Sequence, residues 1–126
     1  MRSDRHTVKP WFSGKIAEAT TVVDLKTDGF PLVGGRVDVV GETPVATLIY
    51  QRREHQIALT EMPAPSAAAA SSEPRRETRD GYSILEWTEG GRVYAAISDL
   101  PPAELDVFGV AFRRAAAAER EDTPKP

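Results

Sequence analysis

The 126-residue chain contains no cysteine and only two histidines, His6 and His55. The first absence excludes disulfides, thiolate metal ligands and cysteine nucleophiles together, without fixing the redox compartment. The second makes any structural zinc site depend on carboxylates, so neither a metal nor another cofactor is expected. No apolar run nears the roughly eighteen residues of a membrane span, and the opening MRSDRHTVKPWF lacks the apolar centre of a signal peptide. Charge of one sign is not in excess: 16 Lys and Arg stand against 19 Asp and Glu, for a net charge of −3. No basic field points to nucleic acid.

What is present is a strand-and-turn pattern, unbroken over residues 29–62. Residues 30–40 alternate as a strand, with Val33, Val37 and Val39 on one face and Asp38 on the other. The Gly34-Gly35 pair within it signals a bulge or a close backbone approach. Gly41-Glu42-Thr43-Pro44 is a hairpin connection, and residues 45–52 return. Ala46, Leu48 and Tyr50 share one face of this strand and Val45, Thr47 and Ile49 the other; both are apolar, which predicts an interior strand. Arg52-Arg53-Glu54-His55 forms a polar tip before a third strand over residues 56–62, where Ile57 and Leu59 alternate with polar and small residues. Pro63 ends it, and the three strands make a meander.

The flanks are less regular. In HTVKPWF, residues 6–12, Pro10 disfavours helix at Lys9, so an extended or turn approach is expected, with Trp11 and Phe12 pinning it to the sheet or displayed as a partner or membrane-proximal surface. Ser13-Gly14 is a turn signal, and residues 22–25 are a short strand or a single helical turn closing at Gly29. Residues 63–80 are rich in Ala, Ser, Pro and charge and read as a disordered insert with nothing to bury, regulated proteolysis at such a mobile loop being the less favoured alternative to plain disorder. Regular alternation resumes over residues 82–88, turns at Glu89-Gly90-Gly91, and returns over residues 92–98 with Val93, Ala95 and Ile97 aligned. Asp99 to Glu104 then start a helix, with prolines at permitted first positions and Leu105, Phe108 and Phe112 as its apolar stripe. Residues 119–126 read as a tail. The fold class expected is α+β: one domain over residues 1–118, an antiparallel sheet of about five strands with a C-terminal helix on one face.

No arrangement of residues points to catalysis. Gly34-Gly35-Arg36 lacks the spacing of a dinucleotide or phosphate loop and lies inside a strand pattern. His55 sits at a hairpin tip without a visible pocket, and capping of the helix accounts for Asp99 and Glu104. The candidate interaction residues are His6, Lys9, Trp11, Phe12, Arg36, Arg52, Arg53 and His55.

The succession HTVKPWFSGK at residues 6–15, then GFPLVGGR at residues 29–36, resembles the extracytoplasmic domain of bacterial transmembrane anti-sigma factors. Tyr50 with Arg52, Arg53 and His55, Gly81-Tyr82 before Trp87, and Ser98-Asp99-Leu100 before Glu104-Leu105 follow in the same order, so the likeness spans residues 6–112 without the insert. The chain departs from that pattern at Thr60-Glu61-Met62 and, after Tyr94, at Ala95, where the family is more aromatic. The resemblance implies a membrane-anchored protein whose cytoplasmic part sequesters an alternative sigma factor, with this piece as its periplasmic, non-catalytic sensor domain. It implies an envelope protein partner, no nucleic acid, and contact with the sigma factor only through the cytoplasmic part. Two rivals are a stand-alone module holding a small molecule between sheet and helix, against Trp87, Phe108 and Phe112, and a small enzyme of unrecognised type.

Overall fold

Among the described residues the chain builds six strands, one more than expected, and alternation of period two marks all of them but one. The structure is a computed structural model that describes residues 21–63, 73–89 and 91–122. Strands β1 (Leu32–Val40), β2 (Thr43–Arg52) and β3 (His55–Pro63) form the expected meander; β4 (Arg75–Arg79), β5 (Tyr82–Glu89) and β6 (Arg92–Ser98) follow. The sheet order is β1-β2-β3-β6-β5-β4 with every neighbouring pair antiparallel, so the second hairpin extends the first sheet rather than covering it. The additional strand, β4, occupies the end of the 63–80 stretch that was expected to carry no structure. Its residues RRETR are all exposed, so no alternation of polarity marks it, and only its ladder with β5 makes it a strand. Helix α1 (Pro102–Asp122) runs past Ala118 into the expected tail. Residues 64–72 of the insert, the expected Ser13-Gly14 turn and Gly90 of the β5–β6 turn lie outside the described residues.

The core lies on the helix side of the sheet. The register aligns Leu48, Leu59, Ala96 and Leu85 across four adjacent strands, and Ala46, Glu61, Tyr94 and Trp87 in the next row along. The helix lays Leu105, Phe108, Phe112 and Ala116 on this surface, all buried. Tyr50, Phe108 and Phe30 meet edge to face at 5.1 and 5.4 Å, and Trp87 stacks on Tyr94 at 5.4 Å. Gly109 brings the helix close to β5, because a Cβ there would meet the Leu85 side chain. Pro102 opens the helix, and the Pro101 carbonyl accepts from the backbone N–H groups of Glu104 and Leu105 at 3.0 and 3.1 Å. In β6 the inward residues are Tyr94, Ala96 and Ser98, while the more apolar set Val93, Ala95 and Ile97 faces away.

Residues 21–30 complete the helix-side layer. Val22, Val23, Leu25 and Phe30 are buried in the same cluster. Rather than a full helical turn, the chain makes a short 3-10 turn, Lys26–Asp28, closed by Gly29 at φ 88°. The β1 irregularity expected from Gly34-Gly35 falls one residue earlier: Leu32 pairs with Tyr50 and Gly34 with Ile49, leaving Val33 as the extra residue. Leu32, not Val33, therefore joins the core.

Candidate functional site

Three of the eight residues singled out in the sequence gather at one end of the sheet. The β2–β3 turn carries Arg52, Arg53 and His55, and the order of strands places it beside the segment that leads from β6 into α1. Arg53 Nη2 donates to both Glu104 carboxylate oxygens at 2.8 and 3.0 Å. Arg52 lies over the Phe30 ring at 5.0 Å and its Nη1 reaches the Gly29 carbonyl at 3.5 Å. Its buried Nε makes no hydrogen bond, since Glu104 Oε1 stands 3.8 Å away. His55 Nδ1 contacts Asp99 Oδ1 at 2.9 Å. Asp99, expected as a helix cap, instead orients His55, while Glu104 holds the arginines. The positive φ of Arg53, 55°, lets this tight turn form. The cluster is partly exposed, with side-chain exposures of 55% for Arg53 and 37% for His55, so it positions groups more than it stabilises the fold.

Arg36 belongs elsewhere, on the sheet face turned away from the helix. Its Nε donates to both Asp38 oxygens at 3.1 Å, and Thr47 Oγ1 donates to Asp38 Oδ2 at 2.6 Å with Thr60 Oγ1 3.0 Å beyond. The Thr47 hydroxyl, and after it Arg36, hold the Asp38 carboxyl below its ordinary value of 3.8 despite partial burial, which acts the other way. A depressed carboxyl stabilises the fold above its unfolded value and loses that contribution as the pH falls through the folded one. Melting followed by circular dichroism should therefore show a small loss below about pH 4, on the order of 0.5 kcal/mol for so exposed a pair. Thr47→Val should flatten that acid limb.

His6, Lys9, Trp11 and Phe12 lie outside the described residues. Trp87, Phe108 and Phe112, considered as the lining of a ligand pocket, pack on one another: Phe112 is 6.0 Å from Trp87 and 6.2 Å from Phe108, and all three are buried. A cleft of about 220 Å³ lies nearby, between β4, β5 and the start of α1, with the Arg76–Asp106 pair among its walls at 2.9 Å. Another, of about 380 Å³, runs along the outer side of α1 beside Val107, Val110 and Arg114.

A fourth polar group was missed in the sequence. The Glu61 carboxylate lies on the helix side with 10% of its side chain exposed. It accepts from Tyr94 Oη at 2.8 Å, from the Thr21 backbone N–H at 3.1 Å, and pairs with Arg92 Nη1 at 3.1 Å. Burial pushes the Tyr94 phenol up to about 12 and raises Tyr50 further still, so both remain donors. The available signal was positional: Glu61 is two residues past Leu59 and four past Ile57, on the face those residues bury.

Among the described residues no group of three or more His, Asp or Glu side chains could hold a metal ion, and no helix is long and apolar enough to cross a membrane. The described residues define an α+β domain in which an antiparallel sheet carries a long helix. No protein-family model, curated protein or solved structure matches the chain.

Proposed function

We propose that this is a non-catalytic regulatory domain that acts by binding a protein partner, and that it serves as the periplasmic signal-input domain of a membrane-anchored anti-sigma factor. The binding reading rests on one observation. On the sheet face away from the helix, Ile49, Ala58, Ile97 and Ile84 stand in register across four neighbouring strands, with Ile97 43% exposed and Tyr82 close by at 52%. A row of half-exposed apolar side chains on a continuous sheet suits a protein surface better than a small ligand. The envelope and sigma-factor parts of the reading rest on the ordered likeness across residues 6–112. A signal would act by favouring one of two arrangements of the domain, and so must bind them unequally.

Two measurements test this. In cells carrying the full-length protein, deletion of the domain should uncouple sigma-factor release from envelope stress; an unchanged response overturns the assignment. Ile97→Lys should leave the melting temperature within a few degrees, as for other exposed positions, yet abolish the response. A fully retained response would remove the apolar row from the binding surface.

A further inference from the structure

Helix α1 carries two stripes. Leu105, Phe108, Phe112 and Ala116 face the sheet and are buried. On the other side Ala103, Val107, Val110, Arg114 and Ala117 recur at alternating steps of four and three, the spacing of a coiled-coil seam. The first four of these are exposed, and Val107 and Val110 are among the large apolar side chains left open, at 56% and 45%. One apolar stripe is enough to hold a helix to its sheet, and the solvent side ordinarily carries charge. A second stripe calls for a second partner.

The charges beside this seam are matched but unpaired. The cleft of about 380 Å³ along it is walled by Val107, Val110 and Arg114 and, from the 3-10 turn, by Asp28. Asp106, also on its wall, is held by Arg76 at 2.9 Å. The Asp28 carboxylate and the Arg114 guanidinium make no ion pair or side-chain hydrogen bond within the described residues. A surface with one free acid and one free base on the rim of an apolar groove is complementary to itself, because a two-fold axis brings each to the other.

We propose that this face of α1 binds a second copy of the chain, with the two helices antiparallel about a two-fold axis. Antiparallel layers match Val107 with Val110 of the other copy, twice by symmetry, and place Arg114 over the small Ala103, free to reach the other copy's Asp28. Parallel helices would instead set each layer against itself and bring the two Arg114 guanidinium groups together. The axis lies on the helix side of the sheet, so the dimer leaves both rows of Ile49, Ala58, Ile97 and Ile84 facing outward. The dimer stands independently of the anti-sigma reading.

Sedimentation equilibrium of the full chain should show monomer and dimer in proportions that change with concentration. Val110→Lys, at an exposed position, should keep the melting temperature within a few degrees and weaken the dimer by about tenfold or more, since it drives a charge into the seam. Arg114→Glu and Asp28→Lys should each weaken it by a similar factor, as like charges then meet twice across the axis. An equimolar mixture of those two variants should dimerise again, because the mixed pair restores both contacts between opposite charges. Ile97→Lys, on the far side of the sheet, should leave the dimer unchanged. A monomer at every concentration up to about 1 mM, which would leave the stripe to a different protein, overturns the proposal. So does a dimer that Val110→Lys spares or Ile97→Lys breaks, or a mixture that associates no more tightly than its components.

Discussion

Phe108→Ala should cost about 3–5 kcal/mol of unfolding free energy, the range for removing a buried aromatic side chain. Phe108 is fully buried and touches three rings: Phe30 at 5.4 Å, Tyr50 at 5.1 Å and Phe112 at 6.2 Å. Those rings come from the residues before β1, from β2 and from the helix itself, so the truncation opens a cavity where three elements converge. Total stabilities of small domains are about 5–15 kcal/mol, and each kcal/mol moves the melting temperature by roughly 4–8 °C at this size. Urea unfolding followed by circular dichroism should show a midpoint lowered accordingly, or a protein already partly unfolded without denaturant. A loss under about 1 kcal/mol would mean that Phe108 is not the centre of the core.

Gly109→Leu should destabilise by about 1–3 kcal/mol or more through overpacking. The Cβ of any residue at this helical position meets Leu85 Cδ2 and approaches the Trp87 ring. Alanine is a milder case, because Leu85 offers the far end of a flexible side chain and the helix gains up to about 1 kcal/mol when glycine leaves its interior. Gly109→Ala should therefore fall near neutral, whereas the branched leucine must push the helix off β5. Trp87 reports the difference: its near-ultraviolet circular dichroism should change in Gly109→Leu and hold in Gly109→Ala. Equal stabilities for the two variants would show that helix and strand do not approach as closely as described.

Not all of this architecture was legible before the strands were paired. Ala46, Leu48 and Tyr50, Ile57 with Leu59, and Leu105 with Phe108 and Phe112 announced their faces, because alternation and helical spacing persist over whole segments. The strand RRETR could not be read, since an edge strand with no buried side chain carries no hydrophobic period. For β6 the composition favoured Val93, Ala95 and Ile97 as the inner face. Pairing with Leu59 and Leu85 instead turns the small Ala96 toward the helix, and leaves Ile97 outside. The bulge at Val33 likewise reversed the first residues of β1.

The charged residues show the same division. Arg52, Arg53 and His55 stood out as a polar hairpin tip, and the structure adds their partners Glu104 and Asp99, 51 and 44 positions away. Glu61 passed unnoticed, although its place in the alternation put a carboxylate on a buried face; only contact with Thr21, Tyr94 and Arg92 shows how that burial is satisfied.

The sequence by itself determined the α+β class, the meander over residues 29–62, the C-terminal helix with its apolar stripe, and the lack of cysteine chemistry. Those properties follow from local periodicity and composition. The sheet order, the sixth strand, the inner face of β6 and the partners of the buried Glu61 carboxylate were decided only by the tertiary structure. Each depends on which distant backbone fills a strand's open edge, and nothing within a single segment specifies its neighbour.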